Sequence, residues 1–531
     1  MPIATRTWLH WLVAVTAGLS LAGCGGGGGG GSPAPAPVPP STSSWVAGSF
    51  LPASTFAGKC VNPRTGNDPD TGQPYNEVLG TSTDENNWLR SWSNDLYLWY
   101  SEIPDRDPAL STTVDYFKAL KTTAITPSGH DKDRFHFTYP TTQWRQLSQS
   151  GVEAGYGVAW AVVASLPPRR IVVAYTEPGS PASSAIPALV RGEEVQTVDG
   201  TDVVLSNTQA EVDRLVAGLY PDTVGESHTF TLRQPGTGAV RTVQLQSVAV
   251  TTTPVRYSTI TTATGTVGYI LFNDHIATAE QQLVTAFDAM RTARVNDLVI
   301  DLRYNGGGYL AIASQVAYMV AGSAATAGQT FERLTFNDKH PGIDPVTGKA
   351  LTPEPFYDKT LGFSTSSGQP LPTLDLRRVY VLTGASTCSA SEAIINGLRG
   401  VNVDVIQIGS TTCGKPYGFY PADHCGTTYF TVEFKGVNAL GFGDYTDGFS
   451  PNNTPVVGGT RGSGCSVADD FTYALGDPNE GRFAAALQHR NTAQCPVASG
   501  NKPQALSVFR EETDAVVPKS VWLQNRWLGL P

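Results

Sequence analysis

Residues 378–417 read RVYVLTGASTCSASEAIINGLRGVNVDVIQIGSTTCGKPY. A β-branched apolar run from Val379 to Leu382 ends in a small-residue turn carrying Ser386, Ser389 and Ser391. A helical stretch follows, with Ala393, Ile394, Ile395 and Leu398 on its buried side and glycines near its end. A second apolar run, Val403 to Ile408, leads into Gly414-Lys415. Strand, helix, strand with a right-handed crossover places the two strands parallel in one sheet. Their carboxyl ends share the edge where open α/β sheets keep their sites.

Serine needs a partner that takes its proton, and a lysine does so when burial favours its neutral amine. A helix N-terminus also turns backbone N–H groups toward a developing oxyanion. Ser389 as nucleophile, Lys415 as base and the Ala390 amide as oxyanion donor form a coherent set. For an isolated pair, an N-cap serine and a surface lysine are the ordinary explanation.

Two further motifs change that weighing. Ser389-Ala-Ser-Glu392 followed by Gly414-Lys415 resembles the carboxy-terminal processing peptidases, or tail-specific proteases. Leu298 to Gly308, LVIDLRYNGGG, is similar to that family's Asp-Leu-Arg-x-Asn-x-Gly-Gly segment. The resemblance implies Ser389 as nucleophile, Lys415 as base and Gly307 as the second oxyanion donor. It also implies a crotonase-like (ClpP-like) α/β fold for the catalytic domain. Phe419 stands where many members carry a glutamine that orients the lysine.

Residues 1–23 have the pattern of an export signal: Arg6, an apolar stretch, then small residues. Leu21-Ala22-Gly23-Cys24 resembles the bacterial lipobox, which implies acylation of Cys24 and a membrane anchor. A plain secretory signal or a short transmembrane helix is the alternative. Residues 24–44, glycines then alternating prolines, suit a tether. Residues 45–150 read as a small helical domain: STDENNWLRSWSNDLYLWY (82–100) opens with a Ser82…Glu85 capping box, and Trp88, Trp92, Leu96 and Trp99 recur at helical spacing.

Residues 151–250 carry short β-rich runs between turn residues. Gly155-Tyr-Gly-Val158, Pro178-Gly-Ser-Pro-Ala182 and Arg191-Gly-Glu-Glu-Val195 resemble a PDZ domain, which implies that Tyr156, Gly157 and Val158 line a loop for a peptide carboxylate. Residues 256–487 read as the catalytic domain and 488–531 as an extension. Residues 429–434 alternate like an edge strand.

Charged residues make up 15% of the chain and the net charge is −10 with no basic run, which argues against nucleic acid as a partner. Seven cysteines leave six once Cys24 is set aside, consistent with three disulfides: Cys413–Cys425, Cys465–Cys495, and either Cys60–Cys388 or a free Cys388. No His, Cys, Asp or Glu cluster has metal-ligand spacing and no cofactor is implied. The reading is a lipid-tethered serine endopeptidase of the bacterial envelope (periplasm or cell surface), acting on proteins or peptides recognised by their C-termini. A catalytically idle scaffold that binds such tails is the alternative.

Overall fold

A computed structural model describes residues 45–454, 459–496 and 526–527. Cys24, the signal and the tether lie outside the described residues. The chain is mixed α/β with several sheets.

Helix α1 (Ser82–Leu96) is capped by Thr81, whose hydroxyl accepts from the Asp84 amide while the Asp84 carboxylate accepts from the Thr81 amide. The capping box therefore begins one residue before Ser82, and Glu85 instead accepts from the Val61 amide. Trp88, Trp92 and Leu96 pack into an aromatic cluster with Phe117 and Tyr429, so the stripe is core. Trp99 falls beyond the helix and packs elsewhere.

Strand β1 (Phe137–Pro140) belongs to a sheet completed by residues 422–430, so residues 45–150 are not a free-standing domain. Next come β2 (Val152–Gly155), β3 (Val158–Ala164), β4 (Arg170–Thr176) and β5 (Glu194–Val198), then helix α2 (Gln209–Leu219). Strands β6 (Ser227–Arg233), β7 (Val240–Gln246) and β8 (Val248–Thr251) close this region. Its main sheet runs β7-β6-β5-β4-β3, with β3 at an edge. β2 and β8 pair antiparallel, so the chain enters and leaves this region through one two-stranded ladder.

The central sheet begins with β9 (Val255–Thr262) and β10 (Gly265–Phe272). Helix α3 (Ala279–Thr292), strand β11 (Asp297–Asp301), the short strand β12 (Gly308–Tyr309) and helix α4 (Leu310–Ala321) follow. Then come β13 (Arg378–Thr383), helix α5 (Ala390–Gly400) and β14 (Asp404–Gly409). Beyond these lie β15 (Tyr417–Gly418), β16 (Thr427–Phe430), β17 (Gly464–Ser466), helix α6 (Gly481–Thr492) and β18 (Arg526–Trp527). The order is β9-β10-β11-β13-β14-β17, parallel throughout except for the β9–β10 hairpin. Side chains alternate across it: Leu298, Ile300, Val379 and Val381 join one core with α3, α4 and α5. Val299, Tyr380, Leu382 and Ile408 join Phe483 of α6 on the other face. Burial on both faces explains why β11 and β13 read as unbroken apolar runs rather than alternating ones. β16 is the middle strand of its three-stranded sheet, which corrects its reading as an edge.

Candidate active site

Three adjacent parallel strands, β11, β13 and β14, release their loops at one edge. The loops are stitched together by main-chain bonds. Cys388 N–H donates to Asn305 O at 3.1 Å, Cys413 N–H to Thr387 O at 3.0 Å, and Ser410 N–H to Thr383 O at 3.1 Å. Ser389 sits between β13 and α5 with φ +59° and ψ −113°, a region non-glycine residues rarely occupy. Such a turn is held only because its surroundings over-determine it, and it presents a side chain sharply at a helix start. Ala390 is the first residue of α5, so its N–H has no acceptor within the helix.

Glu392, one turn into α5, joins this elbow to the Lys415 loop. Its fully buried carboxylate accepts from the Ser389 amide at 3.0 Å and, on the same oxygen, from the Lys415 amide at 2.8 Å. The other oxygen accepts from the Gly414 amide at 2.9 Å and from the Thr412 hydroxyl. Burial pushes the carboxyl above its ordinary value while these four donors pull it back. Two backbone nitrogens on one oxygen fix Ser389 and Lys415 as neighbours.

Both residues are fully buried. The Lys415 Nζ lies 4.8 Å from the centre of the Phe135 ring and 4.3 Å from that of Phe419. Phe419 thus walls the amine where hydrogen bonding to a glutamine is expected from the resemblance. Phe135 comes from the 45–150 region, a contribution no local sequence signal announces. Gly414 has φ +84°, and a Cβ there would meet the Thr446 carbonyl at 2.2 Å. The turn at 447–451, which has no role in the sequence reading, braces this loop: Thr412 N–H donates to Phe449 O, and Phe449 N–H to the Thr412 hydroxyl.

The glycine turn after β11 lies against the same elbow, since the Ser391 hydroxyl donates to Asn305 O at 3.0 Å. One assignment needs correction here. The Gly307 amide donates to Asn305 Oδ1 at 3.0 Å, so in this arrangement it is not available to an oxyanion. Asn305 in turn donates to Phe272 O at 2.8 Å, and its Oδ1 also faces His275 Nδ1 at 2.9 Å. An oxygen only accepts, so His275 carries its proton on Nδ1. Nε2 is buried without a partner among the described residues, so this histidine is only half satisfied.

Burial drives His275 down from 6.5 to about 3, keeping the ring neutral. A folded value below the unfolded one means the folded chain binds fewer protons between those limits. The stabilisation from His275 is therefore complete above about pH 6.5 and is lost as the pH falls toward 3, by roughly 1.4 kcal/mol per pH unit. In denaturant unfolding, the stability advantage of wild type over His275→Gln is expected to shrink by about 2 kcal/mol between pH 7 and pH 5. An unchanged difference would show that the ring is not held neutral.

Behind the turn, Arg303 is fully buried and bonds Asp301, Asp469 and Glu480, with Nη1 to Glu480 at 2.7 Å. Glu480 also caps α6. Burial alone would raise the Asp469 carboxyl, but Arg482, Arg303 and Arg191 together hold it below the ordinary carboxylate range. Arg191, from the 151–250 region, donates to the Tyr304 hydroxyl at 2.8 Å and to Asp469 at 2.7 Å. Tyr304 lies between Arg303 and Asn305, so this region touches the glycine turn directly.

Tyr156, Gly157 and Val158 lie where β2 passes into edge strand β3. The Tyr156 ring is buried with its hydroxyl on Gly218 O of α2 at 3.0 Å, and Trp160 Nε1 donates to Leu219 O at 3.1 Å. Gly157, at φ +67°, leaves no room for a Cβ against Ser180.

The disulfides differ from two of the three expected. Cys388 bonds Cys413, tying the residue before Ser389 to the Lys415 loop, and Cys60 bonds Cys425. Cys465–Cys495 pairs as read. Cys388, Glu392 and Cys413 cluster closely enough to suggest a metal site, but both sulfurs are in the disulfide.

A parallel-sheet α/β body with a serine elbow beside a glycine turn defines the class. Residues 266–419 match the model of peptidase family S41. The chain is 26% identical over 278 residues to a carboxyl-terminal-processing protease of Picosynechococcus, covering 51% of this chain and 57% of that protein. It is also 26% identical over 239 residues to the chloroplastic carboxyl-terminal-processing peptidase 1 of Arabidopsis thaliana, covering 44% and 42% respectively. It thus spans about half the length of the curated relatives it matches. A crystal structure from Bacteroides fragilis assigned to the S41 proteases shares the fold at TM-score 0.56 and 23% identity, covering 77% of this chain and 97% of that one.

Proposed function

We propose that the chain is a serine endopeptidase using a Ser389–Lys415 dyad. The observation that carries this is the Glu392 oxygen that accepts from both the Ser389 and Lys415 amides. Ser389 Oγ adds to the scissile carbonyl as its proton passes to the neutral Lys415 amine. The resulting ammonium protonates the leaving amine, and water then hydrolyses the acyl-enzyme. Two effects bear on the neutral form. Facing aromatic rings favour an ammonium by up to about 2 kcal/mol, whereas desolvation disfavours it by several kcal/mol. The dyad requires the neutral amine, the form that burial favours. The Ala390 amide and one amide of the glycine turn hold the oxyanion, each worth about 3–4 kcal/mol.

Residues 151–250 act as a PDZ-like module. Edge strand β3, with α2 alongside, offers the main-chain groups for a peptide C-terminus, and the 156–158 turn receives its carboxylate. The catalytic region is crotonase-like. The lipobox-like segment anchors the protein through Cys24 to the bacterial envelope, with the body outside the cytoplasm; among the described residues no helix is long and apolar enough to cross a membrane. Incubated with an unfolded protein, the purified chain is expected to release fragments, and Ser389→Ala and Lys415→Ala each to release none. Fragments from Ser389→Ala would refute the dyad. Tail binding without cleavage by wild type would leave the scaffold reading.

A further inference from the structure

Strand β18 pairs in parallel with β12, Arg526 opposite Gly308 and Trp527 opposite Tyr309. β12 starts immediately after Gly307, and α5, the helix capped by Ser389, packs on it. β18 also lies against β15, which starts two residues after Lys415. The backbone of 526–527 is therefore flanked by the segment leaving the glycine turn on one side and the segment leaving the base on the other. A peptidase of this kind must draw an extended chain through that position, so that a carbonyl reaches the nucleophile and the oxyanion amides together. Strand addition to a short unpaired edge is the ordinary way to hold such a chain. The sequence around this strand, VWLQNRWLGLP at 521–531, is mostly apolar.

We propose that residues 526–527 occupy the strand position of a polypeptide substrate, so that the chain occludes its own site and a substrate must displace this segment. This rests on the peptidase reading above and adds its regulation. A segment tethered in cis acts at an effective concentration of roughly a millimolar. If the same segment binds in trans with a dissociation constant near 100 μM, it fills the site about nine-tenths of the time and raises the apparent KM about tenfold.

The test compares three proteins on labelled, unfolded casein: the full chain, the chain ending at residue 499, and the full chain carrying Arg526→Pro and Trp527→Pro. The prolines remove both main-chain donors of β18 without shortening the chain. Both altered proteins are expected to show a KM about tenfold lower at unchanged kcat. In parallel, a fluorescent peptide of residues 520–531 is titrated into Ser389→Ala proteins, where nothing turns over. It is expected to bind the shortened form and not the full-length form. No binding to the shortened form, or equal binding to both, overturns the inference, as does an unchanged KM in both altered proteins. Because binding needs no catalysis, peptide capture by the shortened form alone, without cleavage by any protein, would sink the peptidase reading and leave the occupancy standing.

Discussion

Glu392→Ala is expected to lower kcat/KM by about a hundredfold and to cost about 4 kcal/mol of stability. Removing the carboxylate orphans three buried amides, those of Ser389, Gly414 and Lys415, together with the Thr412 hydroxyl. A buried donor without an acceptor costs about 1–3 kcal/mol, and partial relaxation keeps the total below the simple sum. Against a net stability of about 5–15 kcal/mol, this is a large fraction. The catalytic loss has a separate origin: the amides of both members of the proposed dyad bond to one oxygen, and a displacement of about 1 Å between reacting groups costs on the order of a hundredfold. Glu392→Gln retains the volume and one acceptor, so its expected losses lie between wild type and alanine in both respects. Turnover and chemical unfolding measured on the same samples check this. Wild-type kcat in Glu392→Ala would show that the elbow and the base loop hold their geometry without the carboxylate.

Replacing Cys388 and Cys413 together by alanine is expected to cost roughly 3–4 kcal/mol and to lower kcat by ten- to a hundredfold. The bond closes a loop of sequence separation 25, and the chain-entropy relation gives that magnitude for a loop of this length. Cys388 immediately precedes Ser389 and Cys413 lies two residues before Lys415, so breaking the bond frees these two loops to drift apart. Cys465→Ala with Cys495→Ala provides the control: separation 30, nearly the same loop entropy, but set in the core on the α6 face of the sheet. That pair is expected to lose similar stability with kcat unchanged. Equal effects of the two pairs on kcat would show that the Cys388–Cys413 bond contributes stability alone.

Much of the catalytic body was legible because both faces of its sheet are buried. β13 is then apolar from Val379 to Leu382 and β14 largely so, with Gln407 as its one buried polar side chain, and the turn between β13 and α5 stands out as the place where small polar residues gather. Glu392 and Asn305 are in plain view inside their motifs, yet their roles are not, because a carboxylate and an amide look alike as caps, surface groups or clamps until their partners are known. The wall around Lys415 is a longer-range matter. Phe135 lies 280 positions upstream, delivered by the region containing β1, whose strand pairs with β16. The disulfides show the same limit. Cys388 and Cys413 pair because adjacent parallel strands bring their loops together, and cysteine spacing cannot express that adjacency. Gly307 shows a finer one, since which N–H of a glycine run is free depends on whether a neighbouring side chain turns toward it.

The sequence alone determined the parallel α/β body, the elbow with its serine, the lysine after the next strand and the glycine turn. These follow from local rules of periodicity, of backbone conformation at glycine, and of where helices start. The tertiary structure alone decided that one buried carboxylate ties the Ser389 and Lys415 amides together, that a disulfide doubles that link, that Phe135 and Phe419 face the lysine amine, and that residues 526–527 pair with the strand after the glycine turn. Each of these is a contact between groups brought together by folding, and its free energy depends on burial and on distance, which local sequence does not encode.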